Sequence, residues 1–343
     1  MKTWISAQAS AIGASHLKSN TPCQDSFYVK LTDDGNWMVI VVSDGAGTAS
    51  RADEGSKFVS EFMGKELFKL VNELGHRTPG HWVNDFIIEK ILEARENLRK
   101  LAGSDNISDL NCTLVACLLG PEGGFSVHIG DGSIVGGYKE KTTFKHRYKL
   151  YQSLPENGEY ANETFFITEG DWIKHLRISP IPALDWIICC SDGGASLALL
   201  DERNPKPGFL IPIIKDIFSK NDTALFSSSL ATYLEDPQAD TVTSDDKTLV
   251  IGCRPFVIKN ATDYFQVLPE TPKPVEEISQ RRLSVIRNQL KESEIPSQFP
   301  RNNLPSFLQK YRVALLVSGI LFILLSIGAA ICWGKSVMTP VTP

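Results

Sequence analysis

Six short runs of apolar and β-branched residues, at positions 37–43, 113–119, 124–129, 134–138, 186–190 and 248–253, predict β-strands. Two longer segments, 51–74 and 81–101, carry apolar residues at helical spacing. Phe58, Phe62, Leu67 and Val71 define the inner face of the first, and Ile87, Ile91 and Leu98 that of the second. Two helices in succession, followed by strands at close intervals, is the order of an α+β domain built on antiparallel hairpins and not of a doubly wound sheet. Along the second helix, Glu89, Glu93 and Glu96 with Lys90, Arg95 and Lys100 read as a solvated face. No internal repeat of fixed period is visible.

The pattern changes near the C-terminus. Residues 313–333, VALLVSGILFILLSIGAAICW, carry no charge over 21 positions. As a helix they would extend about 31 Å, the thickness of a bilayer core, and they predict one C-terminal transmembrane helix. A buried core helix is the alternative, but apolarity on every side at this length argues against it. Lys310 and Arg312 precede the run, Trp333 and Lys335 close it, and residues 334–343 form a short tail. Residues 255–312 read as a linker in which Pro269, Pro272, Pro274, Pro296, Pro300 and Pro305 bracket one predicted helix, 275–292, with only a loose apolar stripe. The globular domain is thereby expected to cover residues 1–254.

Charge adds an orientation. The linker holds nine basic against six acidic side chains, so with a net −5 for the chain and one Lys in the tail, residues 1–254 carry −9. Positive charge on the long side of the apolar run places residues 1–312 in the cytoplasm, as in a membrane protein anchored by its C-terminus. The acidic balance offers no basic face to a phosphate backbone and excludes a nucleic-acid binder. Met1 to Ser6 lead into small and polar residues and not into the apolar core of a secretory signal. Seven cysteines without a Cys-x-x-Cys pair, most of them inside apolar runs, read as reduced, buried thiols of a cytosolic compartment. There is no Cys-x5-Arg loop of the kind used by cysteine phosphatases, and Cys112 and Cys117 read as core.

The chemistry lies with acidic residues. Asp25, Asp44, Asp131, Asp192 and Asp245 each stand at the end of a strand-like run or in the turn beside it, and three are followed by glycine: Asp44-Gly45, Asp131-Gly132 and Asp192-Gly193. A strand that delivers Asp as its last residue and then turns on Gly places a carboxylate at a sheet rim, where several rims can converge. Any single Asp-Gly is also an ordinary turn pair. Clustered carboxylates need a cation to stay ionised together, and an oxygen-only donor set without His or Cys suits Mg²⁺ or Mn²⁺.

In order and spacing, VIVVSDGAG (39–47), HIGDGS (128–133), CSDG (190–193) and DDKT (245–248) resemble the metal-dependent protein phosphatase family of the protein phosphatase 2C type. Gly13-Ala14-Ser15-His16 through Pro22-Cys23-Gln24-Asp25-Ser26, with Gly158-Glu159-Tyr160-Ala161-Asn162, is similar to its bacterial branch, and the likeness covers about residues 5–253. The resemblance implies a four-layer αββα sandwich, two antiparallel sheets flanked by helices, with the ions in a cleft at one end. It implies that Asp44 bridges two ions and the Gly45 carbonyl ligates one of them. Asp192 and Asp245 would complete the first ion's shell, Asp131 would help hold a third, more labile ion, and Asp25 would orient the attacking water. The implied activity is hydrolysis of phosphoserine and phosphothreonine in proteins by water activated between two Mn²⁺ or Mg²⁺ ions. A phosphorylated protein is then the substrate and a cognate Ser/Thr kinase the opposing partner.

Three departures from the family pattern bear on substrate handling. His16 stands where many members carry a phosphate-binding Arg, with Lys18 close by, and reads either as a phosphate ligand or as a structural capping histidine. Gln24 stands where many have Glu, and Ala46 where eukaryotic members have a His proposed as an acid. Residues 158–162 read either as a flap near the cleft or as a surface loop. A catalytically silent phosphoprotein-binding or scaffold module of the same fold is the alternative function, prompted by Gln24 and the missing Arg. The retained set of mutually repelling carboxylates argues against it.

Overall fold

The computed structural model describes residues 3–74, 82–141, 146–156, 164–220 and 222–266. The apolar run 313–333, the predicted linker helix and residues 158–162 lie outside that range. Among the described residues no helix is long and apolar enough to cross a membrane.

In chain order the strands are β1 (Ile5–Ala11), β2 (Ser26–Leu31), β3 (Met38–Ser43), β4 (Leu114–Gly120), β5 (Gly123–Ile129), β6 (Ser133–Lys141), β7 (His146–Ser153), β8 (Arg177–Ile181), β9 (Trp186–Cys190), β10 (Leu199–Leu200), β11 (Asn204–Pro205) and β12 (Lys247–Cys253). The α-helices are α1 (Ala14–Ser19), α2 (Ala52–Leu74), α3 (Trp82–Ala102), α4 (Trp172–His175), α5 (Asp192–Ala198), α6 (Pro207–Phe218), α7 (Leu225–Leu234), α8 (Pro255–Lys259) and α9 (Ala261–Gln266). One five-stranded sheet has the order β1-β12-β9-β6-β7 and the other β2-β3-β4-β5-β8, with β10 and β11 forming a separate short hairpin. Every neighbouring pair is antiparallel, as the succession of predicted elements requires.

The two sheets face each other across a core of alternate residues. Met38, Ile40 and Val42 of β3 meet Val115, Cys117 and Leu119 of β4, Ile187 and Cys189 of β9, and Val250 of β12. The intervening Val39 and Val41 are also fully buried, on the face that α2 covers. On the other sheet Ile188, Cys190, Leu249 and Ile251 pack against α6 and α7 through Leu210, Ile213, Ile214 and Leu230. Helices therefore cover the outer faces of both sheets. Ile40 has no exposed surface, so Ile40→Val is expected to cost about 1 kcal/mol, read as a lower urea midpoint at unchanged slope.

Three expectations need revision. Phe58 and Phe62 are half-buried and stack on each other at 5.6 Å, whereas the inner face of α2 is Val59, Met63, Leu67, Leu70 and Val71. The two phenylalanines lie one position, about 100°, off that stripe. Arg95 is not solvated: it is buried, donates to the carbonyls of Ile167 (2.5 Å) and Glu169 (2.7 Å), and lies over the Trp172 ring. Residues 255–266, expected at the head of the linker, form α8 and α9, burying Val257, Ala261, Tyr264 and Phe265, the last against Trp186 at 4.6 Å. Of the six described cysteines, Cys112, Cys117, Cys189, Cys190 and Cys253 are buried, as their apolar runs lead one to expect, and Cys23 is half-buried. Burial pushes the Cys112 thiol up to about 12, which keeps it protonated and unreactive.

Candidate metal centre

Strand register brings the acidic residues to one lip of the sandwich. Ser26 pairs with Ser43, so Asp25, just before β2, and Asp44, just after β3, lie at the same end of one sheet. In the other sheet Cys190 pairs with both Leu249 and Ser133, so Asp192, just after β9, and Asp245, just before β12, share an end. Asp131 lies on the crossover from β5 in the first sheet to β6 in the second. The carboxylates feel one another across the gap. Burial, then the charges of Asp25, Asp192 and Asp131, holds Asp44 well above the ordinary carboxylate range.

Burial also pushes Asp25 up to about 7, opposed by hydrogen bonds from Ser191 and Thr248 and reinforced by Asp246 and Asp192. Asp131 is raised to about 6 by burial and by Asp192, and Asp192 is raised by burial and by Asp245. Asp245 itself is exposed at the outer edge of the lip.

Hydrogen bonds fix the segments that carry Asp44 and Asp25. Thr113 clasps Asp44 from both sides, its Oγ1 accepting from Asp44 N–H at 2.9 Å and its own N–H donating to the Asp44 carbonyl at 2.8 Å. The N–H of Gly45 donates to the Gln24 carbonyl at 3.1 Å, which ties the β3 end to the segment carrying Asp25. Ser191 Oγ donates to Asp25 Oδ2 at 2.7 Å and accepts from Thr248 N–H at 3.1 Å, joining β9 and β12 to that carboxyl.

None of the glycines in the three Asp-Gly pairs adopts the left-handed conformation; that falls to Gly130, at φ +111°. The glycine after Asp192 serves close approach instead, since a Cβ at Gly193 would stand 2.1 Å from the Asp246 carbonyl oxygen. Asp192 therefore opens helix α5 and does not sit in a turn. Gly130 is held by its carbonyl, which accepts from Glu156 N–H at 3.0 Å and from Arg177 Nη2 at 3.4 Å.

The residues present suit a hard divalent cation by donor type and by charge. Asp25 Oδ1 and Asp131 Oδ1 are buried and have no hydrogen-bond partner among the described residues, an arrangement that costs free energy unless a cation or a water faces them. The carboxylates are gathered on one lip without closing on one point. Among the described residues no group of three or more His, Cys, Asp or Glu side chains stands in metal-holding geometry. His16 lies beside the lip, its Nδ1 2.9 Å from Asp246 Oδ2.

Sequence reasoning singled out neither Asp246 nor the Ser191, Thr248 and Thr113 hydroxyls. The one available signal was the doubled acid at 245–246 before an apolar strand, of which one member had to point inward.

A layered α+β protein with helices outside two antiparallel sheets and an acidic lip at one end is the class these features define. Residues 12–235 match the family described as protein phosphatase 2C, and the chain belongs to that family. The chain is 29% identical over 262 residues to serine/threonine-protein phosphatase 3 of Escherichia coli (strain K12), which spans 73% of this chain and 98% of that protein. Among solved structures, a bacterial serine phosphatase is 14% identical with a TM-score of 0.48, over 72% of this chain and 96% of that one. The serine/threonine phosphatase Stp1 from Staphylococcus aureus is also 14% identical, with a TM-score of 0.47, over 72% of this chain and 94% of that one.

Proposed function

We propose that the protein hydrolyses phosphoserine and phosphothreonine in proteins at this lip. Asp44, Asp131, Asp192, Asp245 and the Gly45 carbonyl would hold two divalent ions, Mn²⁺ or Mg²⁺, and a third, more labile one. The observation that carries the proposal is the pair of buried carboxylate oxygens on Asp25 and Asp131 that no described residue meets with a hydrogen bond, amid mutually repelling acids. Divalent ions bound there supply neutralisation of phosphoryl charge and a water acidic enough to react near neutral pH.

The chain's own part is positional. Ser191 fixes Asp25 Oδ2, which leaves Oδ1 to accept a hydrogen bond from the attacking water and orient it. The Thr113 clasp holds the Asp44 backbone so that its carboxyl needs no reorganisation when substrate arrives. The Asp246 contact of His16 supports its structural reading over a phosphate-binding one. The family match and the name of the Escherichia coli relative support the substrate class.

The apolar run 313–333 would anchor the chain in the membrane with residues 1–312 in the cytoplasm. That would concentrate the enzyme near membrane-bound substrates and the kinase it opposes.

The test is hydrolysis of phosphoserine and phosphothreonine peptides by the full chain, with Mn²⁺ added and with Mn²⁺ chelated. Turnover is expected only with the ion. Absence of turnover together with absence of Mn²⁺ binding by calorimetry would assign the chain to the silent scaffold reading instead.

A further inference from the structure

Asp246 stands beside the proposed ligand Asp245 and turns the other way: it is 2% exposed while Asp245 is exposed. Its carboxylate is met by three donors from one segment. Gly13 N–H donates to Oδ1 at 2.6 Å, Gln24 N–H to Oδ2 at 2.6 Å, and His16 Nδ1 lies 2.9 Å from Oδ2. These three residues bracket the loop and helix α1 that deliver Asp25, the residue immediately after Gln24.

The next residue adds a second grip. Lys247, 1% exposed, reaches the Ile12 carbonyl at 3.4 Å and pairs with Asp240 at 2.6 Å. Ser15 N–H and Oγ both donate to the Ser244 carbonyl, at 3.0 and 2.6 Å. The segment 12–24 is thus fastened along the strand start 244–247, and Asp246 supplies the central fastening.

We infer that Asp246 is a positioning residue for the phosphatase reaction: through Gly13, His16 and Gln24 it sets where the Asp25 carboxyl stands relative to Asp245, and it holds His16 away from a phosphate-binding role. The inference rests on the metal-site reading above. Charge-assisted hydrogen bonds to backbone N–H groups suit this task because they are short, directional and shielded from water. An Asn at 246 keeps the shape but replaces one acceptor oxygen by an NH₂ group, which must face at least one of the same N–H donors.

The experiment measures Mn²⁺ binding by calorimetry, and kcat and KM for p-nitrophenyl phosphate, on the full chain and on Asp246→Asn, with folding checked by circular dichroism. Asp246→Asn is expected to weaken Mn²⁺ binding and lower kcat about tenfold each while KM stays within about twofold. His16→Ala, which removes one of the three contacts, is expected to shift the same quantities in the same direction by about threefold, and it serves if the Asn variant does not fold. Ile40→Val, a core change remote from the lip, sets the level for plain loss of stability and is expected to leave Mn²⁺ affinity unchanged. If the unaltered chain binds Mn²⁺ and turns over, yet the Asn variant matches it in both, this inference is overturned and the metal reading stands. If the unaltered chain binds no Mn²⁺, both fall together.

Discussion

Asp44→Asn is expected to abolish phosphatase activity, with a fall of at least about 10²–10³-fold in kcat. Asp44 is the acid on which the others bear most directly: Asp25, Asp192 and Asp131 all raise it. The substitution changes charge and almost nothing else, because the backbone on both sides is clasped by Thr113 and an amide fits where the carboxyl stood. A purely structural Asp44 would show the opposite pattern, with a lower melting temperature and intact turnover. A metal-binding Asp44 gives a variant whose melting temperature without Mn²⁺ is equal to or above that of the unaltered chain, since one of several repelling charges has gone. Measured together, turnover and melting temperature separate the two roles. An Asn variant with full turnover would remove Asp44 from the reaction.

The second large effect is on stability and runs through pH. In protein stripped of divalent ions, Asp25 at about 7 and Asp131 at about 6 retain protons that the unfolded chain releases near the ordinary value of 3.8. The folded state then binds more protons between about pH 4 and 7. Stability is therefore fully present below that window and is lost as pH rises through it. From pH 5 to pH 8 the melting temperature of the metal-free protein is expected to fall by on the order of 5–10 °C. Millimolar Mn²⁺ is expected to recover most of that loss at pH 8 and little at pH 5, where protons already occupy the carboxylates. Scanning calorimetry across pH with and without the ion reads both arms. A metal-free melting temperature that rises from pH 5 to pH 8 would contradict the burial of these acids.

The sandwich was legible in the sequence strand by strand, but only in its interior. The six runs read as strands are β3, β4, β5, β6, β9 and β12, which are the three inner strands of each sheet. Their residues are buried on both faces, so they appear as compact apolar runs. The edge strands β1, β2, β7 and β8 escaped the same reading. In β1 the buried positions are Ala7, Ala9 and Ala11, small residues with a weak hydrophobic signal, and in β2 no residue is fully buried. Helix α6 was hidden by Pro207 and Pro212 within an apolar run.

At the site, Asp44, Asp131, Asp192 and Asp245 could be found because each follows or precedes an interior strand, whereas Asp25 precedes the edge strand β2 and stood out only through the family resemblance. The reason for their neighbouring glycines could not, because close packing against a residue such as Asp246, distant in sequence, leaves no local pattern. His16 was ambiguous for the same reason: its partner lies 230 positions away.

Asp25 and Asp44 come from one sheet, Asp192 and Asp245 from the other, and Asp131 from the connection that crosses between them. The acidic lip is therefore a gauge of how far one leaf has slid over its neighbour. The close-packed layer of Met38, Ile40, Val115, Ile187 and Val250 resists that shear. Strand pairing lies within each sheet, so a slide of one over the other would part Asp44 from Asp192 while leaving every ladder intact.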